Sequence, residues 1–160
     1  MKRITVFCGA RAGTENVYIE QATALGKALA KQNIELVYGG ADLGLMGAVA
    51  NGALSEKGKV IGVIPEFLQT REIGHQNLTE LIIVKSMHER KTKMNDLGDG
   101  IIALPGGFGT IEELFETLMV TPISGSDKAL TPERLKQFIK NIQINYCHII
   151  VLHHLIGKKI

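Results

Sequence analysis

The chain has no tryptophan, and its phenylalanines and tyrosines make up only 5% of its residues. Proteins that bind single-stranded nucleic acids stack the bases on aromatic side chains. The net charge of +2 and the pI of about 8.5 are also too mild to indicate a nucleic-acid surface. We therefore expect no nucleic-acid partner.

Cysteine and long apolar runs are scarce as well. Cys8 and Cys147 are too few for a disulfide framework or a metal cluster. No apolar run approaches the roughly 20 residues that a membrane span needs, and the stretch between Arg3 and Gly9 is too short for a signal peptide. We expect a cytoplasmic protein with no membrane partner, in which Cys8 is a buried, reduced thiol.

Several standard site motifs are missing. Gly107-Phe108-Gly109 continues into Glu112, where a dinucleotide-binding fingerprint would need its third glycine, and no Walker-A sequence is present. His88-Glu89 lacks a second histidine at position 92, and His153-His154 does not have the spacing of metal ligands. No lysine is marked as the attachment point of a cofactor. We expect neither a metal nor a redox cofactor.

Short apolar runs alternate with segments of helical periodicity. Strands are predicted over residues 4–8, 34–38, 60–64, 81–84 and 101–104, and helices after Gly13, over 45–55, over 87–97 and over 111–120. This alternation predicts an α/β fold, a Rossmann-like doubly wound parallel sheet flanked by helices in a single domain. Residues 1–120 form the predicted nucleotide-binding core, and residues 121–160 a divergent C-terminal part of the same domain.

Three shorter predictions complete this assignment. The segment from Phe67 to Asn77 is polar and predicted to be irregular. Thr131-Pro132-Glu133 is predicted to start a helix, because proline is favoured in a first helical turn. Cys147 to Leu155 is an apolar, β-branched strand candidate.

Three glycine-rich turns follow predicted strands, at residues 9–13, 39–44 and 105–109. In doubly wound sheets, ligands bind outside the carboxyl ends of the strands. The third turn leads directly into a helix, whose free N–H groups and positive dipole end favour an anion such as phosphate. The turns therefore predict a phosphate-binding edge of the sheet.

Thr110 is predicted to cap that helix and to offer its hydroxyl to a phosphate oxygen. Alternatively, Thr110-x-x-Glu113 is only a capping box, in which Glu113 reaches back to the N–H of the cap residue. The adjacent carboxylates of Glu112 and Glu113 would repel a bare phosphate. They therefore indicate a ligand with a sugar or a base attached to its phosphate.

The helix that begins at Met87 carries two cations within an apolar stripe. Met87, Arg90, Lys91 and Met94 share one helical face. Either both basic side chains extend out to solvent beside the sheet, or this face borders a polar pocket and Arg90 reaches Glu113 or the ligand.

Two motifs then indicate a family. Met87-His88-Glu89-Arg90-Lys91, followed by the run from Pro105 to Glu113, resembles the Lonely Guy (LOG) family of cytokinin-activating phosphoribohydrolases, often mislabelled as lysine decarboxylases. The same resemblance is carried by Val6-Phe7-Cys8-Gly9, Val37-Tyr38-Gly39-Gly40, Gly44-Leu45-Met46-Gly47 and Val60-Ile61-Gly62-Val63-Ile64-Pro65. It covers about residues 3–120.

The resemblance implies hydrolysis of the N-glycosidic bond of AMP or an N6-modified AMP, giving free base and ribose 5-phosphate. It also implies a homodimer with sites near the subunit interface. Arg90 and Glu113 occupy the family's catalytic positions. The positions implied to bind substrate are Cys8, Gly9, Gly39, Gly40, Glu72, Met87, Lys91, Gly106, Gly107, Phe108, Gly109, Thr110, Ile111 and Glu112. The alternative is a molybdenum-cofactor carrier, which would share the fold and a related glycine motif but would not need the Arg90–Glu113 pair.

This chemistry suits the residue types. Glu113 can stabilise the positive charge that develops on the ribose or activate the attacking water, and Arg90 can orient Glu113, hold the phosphate or assist the departing base. Ala10-Arg11 and Ala41 depart from the family's pattern, and Arg11 is a candidate for an added phosphate contact or an altered choice of base. After Val120 the resemblance ends.

Overall fold

The computed structural model describes residues 1–69, 74–120 and 150–152. The strands are β1 (Arg3–Phe7), β2 (Glu35–Tyr38), β3 (Val60–Pro65), β4 (Glu80–Val84), β5 (Gly100–Ala103) and β6 (Ile150–Leu152). The helices are α1 (Asn16–Lys31), α2 (Gly44–Ser55), α3 (Glu66–Gln69), α4 (Met87–Leu97) and α5 (Phe108–Val120).

The strands form one sheet in the order β4-β3-β2-β1-β5-β6. The first five strands along the chain are parallel, and β6 runs antiparallel to β5. The chain builds outward from β1 to β4 and then returns to place β5 on the other side of β1. The sheet therefore has its topological switch point between β1 and β5, where ligands bind in such folds.

Helices cover both faces of the sheet. Ile4 and Val6 of β1 face a core shared with α1 and α2, whereas Phe7 faces a second core that contains Met94 of α4. This alternation follows from the two-residue repeat of side chains along a strand. The predicted α/β Rossmann-like fold is confirmed.

Helices α1 and α2 are packed closely through glycines. A Cβ atom on Gly26 would overlap the backbone carbonyl of Val49, and one on Gly52 would overlap that of Thr23. The small-residue sequence of α2 therefore allows the two backbones to approach each other.

The predicted elements are found, with boundaries that mostly move by one residue. Two predictions are wrong. α5 begins at Phe108 rather than at Ile111, and residues 67–69 of the segment predicted to be irregular belong to α3. Glu66 stands in the first turn of α3, where the helix dipole favours a carboxylate. Within the C-terminal part, the structure describes only Ile150–Leu152, which is a strand inside the predicted strand. The predicted helix at Thr131 lies outside the described residues.

Across the described ranges, no helix is both long and apolar enough to cross a bilayer.

Candidate active site

The turns after β1 and β5 meet at the switch point. The N–H of Gly9 donates to the carbonyl of Pro105 at 3.1 Å. A Cβ atom on Gly9 would stand 3.1 Å from the Cα of Gly106, so both positions favour glycine. Gly9 and Gly106, both predicted to bind substrate, thus bring the two turns into direct contact. We call the surface formed by these two glycines the floor of the site.

The start of α5 lies next to this floor, with Thr110 against Gly106. The carbonyl of Gly107 accepts hydrogen bonds from the N–H groups of Thr110 and Ile111, at 3.1 and 3.3 Å. The helix therefore begins after Gly107, and the prediction that Thr110 caps it is wrong. Glycine is accepted at a helix cap, and Thr110 instead is buried in the first turn with its hydroxyl against Gly106.

The glycines at this helix start face open space. Cβ atoms added to Gly107 or Gly109 would meet nothing within 4 Å. The first N–H groups of a helix have no partner within the helix, and its dipole attracts negative charge. Unlike Gly26 and Gly52, these two glycines are not required by packing within the described protein, and they leave room for an anion.

Arg90 of α4 is buried, with only 5% of its surface exposed. Its Nε donates to the carbonyl of Val63 at 3.0 Å, and its Nη2 donates to the carbonyl of Gly39 at 3.1 Å. A Cβ atom on Gly39 would overlap the guanidinium. The interpretation in which Arg90 extends into solvent is thereby excluded, and Gly39 makes room for Arg90.

Arg90 also reaches Glu113. Its Nη1 lies 3.4 Å from Oε1 of Glu113, which is itself only 8% exposed. The predicted approach of these two side chains is confirmed. The guanidinium compensates a carboxylate that is otherwise withdrawn from water, where an uncompensated charge would be costly.

Cys8 is a buried free thiol close to this pair. Burial raises the pKa of Cys8, and the negative charge of Glu113 raises it further, while Arg90 lowers it. The expected buried thiol is confirmed. A contact between Cys8 and substrate stays a prediction.

Lys91, the neighbour of Arg90, turns toward α5. Its Nζ lies 3.0 Å from Oε1 of Glu112 and also pairs with Glu116. The two carboxylates raise the pKa of Lys91, with the larger contribution from Glu116, against the opposing effect of burial. Lys91 is therefore held as a cation between two carboxylates.

The rim of the site is largely apolar and open. Phe108 is 92% exposed, and Ile111 and Phe115 on the same helix are also exposed. Met87 is half-buried, with its sulfur 3.9 Å from Nη1 of Arg90. Glu72, also predicted to bind substrate, lies outside the described residues.

Sequence reasoning missed a polar network around the buried His75 beside β2. The backbone N–H of His75 donates to the carbonyl of Gly40. The ring Nδ1 of His75 accepts from the backbone N–H of Asn77. The other ring nitrogen, Nε2, therefore carries the hydrogen and donates it to Oδ1 of Asn51 at 3.0 Å. Asp42 lies 3.6 Å from the same nitrogen. The sequence feature that could have indicated this network was Asn51, a polar residue within the apolar helix α2.

Among the described residues, no three His, Cys, Asp or Glu side chains cluster closely enough to hold a metal ion. The described groups that offer chemistry at the site are the side chains of Arg90, Glu113 and Lys91 and the start of α5.

Fold and site together define a Rossmann-like α/β protein with an open, glycine-lined helix start beside a buried arginine–glutamate pair. A family model described as "possible lysine decarboxylase" matches residues 46–144. The chain belongs to this family, the LOG family that its motifs resemble.

Several relatives are similar over most of the chain. A cytokinin riboside 5'-monophosphate phosphoribohydrolase of Rhodococcoides fascians is 53% identical over 73% of this chain and 60% of its own length. The protein of the same name, LOG1, from Arabidopsis thaliana is 45% identical over 79% of this chain and 60% of its own length. The chain thus spans about three fifths of the length of these curated relatives.

Solved structures share the fold. A molybdenum cofactor carrier protein from Chlamydomonas reinhardtii superposes with a TM-score of 0.65 at 24% identity, over 87% of this chain and 83% of that one. A molybdenum cofactor binding protein from Rippkaea orientalis gives a TM-score of 0.64 at 24% identity, over 74% of this chain and 72% of that one. At this level of identity, the likeness supports the fold alone.

Proposed function

We propose that this protein hydrolyses the N-glycosidic bond of a nucleoside 5'-monophosphate, AMP or an N6-modified AMP, to free base and ribose 5-phosphate. The observation that carries the proposal is the buried Arg90–Glu113 pair beside the open start of α5. The relatives named as cytokinin riboside 5'-monophosphate phosphoribohydrolases support the same substrate class.

In this proposal the 5'-phosphate occupies the start of α5. The free N–H groups near Gly107 and Gly109 bind its oxygens, and the floor of Gly9 and Gly106 allows the ligand to approach the backbone. Binding of the phosphate then positions the N-glycosidic bond, which lies several ångströms away. In this way binding energy from a remote part of the substrate contributes to catalysis.

Glu113 acts on the ribose side of that bond. As the base departs with the bonding electron pair, positive charge develops on the ribose ring, and a carboxylate in a site shielded from water stabilises that charge or takes a proton from the attacking water. Water oxygen becomes the new substituent at C1', and the departing base receives a proton. Arg90 holds Glu113 in place.

A carrier function is the alternative, since the carrier proteins share the fold. A carrier has no need for a charged pair withdrawn from water beside its ligand cleft. The pair is present here. Burial of an ion pair costs desolvation free energy, and a catalytic role explains why the pair is kept despite that cost. The hydrolase is therefore the function we propose.

We further propose that the active unit is a homodimer. The exposed Phe108, Ile111 and Phe115 form an apolar stripe along the rim of the site, and a second subunit is a natural cover for such a stripe. The molar mass of the purified protein, measured by light scattering with and without Phe115→Ser, tests this proposal. A monomer at working concentrations would contradict it.

The test of the activity is incubation with AMP and with N6-isopentenyl-AMP, following free base by chromatography. We expect release of base from at least one, and loss of release in Glu113→Gln while nucleotide binding remains. Exposed Glu20 provides the matched control Glu20→Gln, which should keep full activity. Binding of AMP without release of base, or full turnover in Glu113→Gln, would contradict the proposed reaction.

A further inference from the structure

The two members of the Arg90–Glu113 pair stand on different helices and are held by different means. Arg90 is fixed to the sheet by its hydrogen bonds to Val63 and Gly39. Glu113 belongs to α5, which follows the glycine turn and whose first two residues, Phe108 and Gly109, are open to solvent. Something must therefore fix α5 relative to α4 for the pair to keep its geometry.

The contacts of Lys91 supply this link. Lys91 follows Arg90 on α4, and it binds Glu112 and Glu116, which flank Glu113 one helical turn apart on α5. The side chain of Lys91 is only 12% exposed, so this ion pair is better shielded from solvent than most surface pairs. We propose that Glu116 is a positioning residue, which acts through Lys91 to hold α5 against α4 and thereby sets the separation of Arg90 and Glu113.

Further contacts follow the same line between the two helices. The hydroxyl of Thr117 lies 3.1 Å from Oδ1 of Asn95 and 2.8 Å from the carbonyl oxygen of Glu113, and Nδ1 of the exposed His88 lies 3.8 Å from Oε1 of Glu116. The contacts of Asn95 and His88 join α4 to α5 through polar side chains. Such a link depends on charge and hydrogen-bond geometry, so a single change from carboxylate to amide can alter it.

The local charge also favours this role over direct phosphate binding by Lys91. Two cations, Arg90 and Lys91, stand beside three carboxylates, those of Glu112, Glu113 and Glu116. Within this cluster the positive charge of Lys91 is already matched by carboxylates, whereas the phosphate is proposed to bind the N–H groups at the start of α5. Lys91 has three donors and engages two carboxylates of α5 with them, so its charge stabilises the position of α5.

The inference rests on the proposed function for its kinetic test. We expect Glu116→Gln to lower kcat by roughly tenfold to a hundredfold, because a misplacement of about 1 Å has effects of that order, and to leave KM within about twofold of the wild-type value. Glu20→Gln and Lys93→Met, both at exposed positions, should keep the wild-type kcat. An unchanged kcat in Glu116→Gln, or a raised KM with an unchanged kcat, would overturn the inference.

A double-mutant comparison identifies the route of the effect. Because Glu116 acts through Lys91, adding Glu116→Gln to Lys91→Met should lower kcat no further, and Lys91→Arg should restore part of the activity lost in Lys91→Met. Additive losses would show that Glu116 acts independently of Lys91 and would overturn the proposed route.

A structural measurement keeps the inference separate from the proposed function. A crystal structure of Glu116→Gln reports the separation of Arg90 Nη1 and Glu113 Oε1 even in a protein without turnover. A longer separation than in the wild-type crystal, with no base released by the wild type, would leave the inference standing and refute the hydrolase. An unchanged separation would overturn the inference whatever the activity.

Discussion

Nη1 of Arg90 on α4 lies 3.4 Å from Oε1 of Glu113 on α5, although the two residues are 23 positions apart in the chain. Both are almost fully buried, and Arg90 is held by backbone carbonyls at Val63 and Gly39. The pair is therefore part of the folded framework before any ligand arrives. Such preorganised charge needs little rearrangement during a reaction.

The open start of α5 gives a first prediction. Gly109→Ala adds a methyl group where the structure has free space, and alanine stabilises a helix by up to about 1 kcal/mol relative to glycine. We expect unchanged or slightly higher stability in a urea titration, together with at least a tenfold weaker affinity for AMP by calorimetry.

Lys27→Ala on the exposed face of α1 is the control, since it raises helix propensity away from the site. If Gly109→Ala bound AMP as tightly as the wild type, phosphate binding at this helix start would be refuted.

A second glycine-to-alanine change, placed where α1 crosses α2, is expected to have the opposite effect on stability. Gly26→Ala places a methyl group into the backbone of α2 near Val49. Overpacking of this kind costs about 1–3 kcal/mol, and we expect a loss of that size in the free energy of unfolding. Ala24→Leu, an enlargement at an exposed position of the same helix, should change it by no more than about 0.5 kcal/mol. Equal effects of the two substitutions would contradict the close approach of the helices.

Burial of Cys8 predicts its reactivity. Because burial and Glu113 raise its pKa, the thiolate that reacts with disulfide reagents is scarce in the folded protein. In a Cys147→Ser background, we expect native protein to remain unlabelled by Ellman's reagent at pH 8 while protein in guanidinium is fully labelled. Rapid labelling of the native state would show that Cys8 is accessible.

The ion pair between Arg3 of β1 and Glu35 of β2 predicts how stability depends on pH. Arg3, and to a smaller extent Lys59, lower the pKa of Glu35 below its ordinary value of 4.5. The stabilisation is therefore fully present above about pH 4.5 and is lost as the pH falls through the lower pKa of the folded state. Because Arg3 is partly exposed, the contribution is at most about 1 kcal/mol.

Glu35→Gln should remove that contribution at pH 7 and make the unfolding free energy less sensitive to acid, whereas Glu20→Gln should leave both unchanged. Urea titrations between pH 3 and pH 7 measure this. An equally steep loss of stability on acidification in Glu35→Gln would refute the assignment.

The sequence predicted features that local patterns determine. Ser86, which is of a residue type favoured at a helix cap, stands immediately before Met87, and its hydroxyl accepts from the N–H of Glu89 at 3.1 Å. Hydrophobic periodicity identified the strands of the parallel sheet, and the glycine turns indicated the ligand edge at which Gly9 meets Pro105.

Features that depend on distant contacts were not predicted. The helical run alone did not show that α5 begins after Gly107, since Thr110 is the more usual cap residue. Gly39 was assigned to substrate from the resemblance, although the structure shows Arg90 lying against it. His75 gave no sign of its contact with Asn51, because this contact joins segments that are distant in sequence.

The hydrogen bonds of Arg90 also determine when during folding the site can exist. Gly39 follows β2 and Val63 belongs to β3, so the guanidinium can take its place only after these strands are paired and α4 has docked on them. A partly folded chain would thus lack the assembled pair. In a refolding experiment, recovery of the proposed hydrolytic turnover would mark completion of the central sheet and not merely the formation of helices.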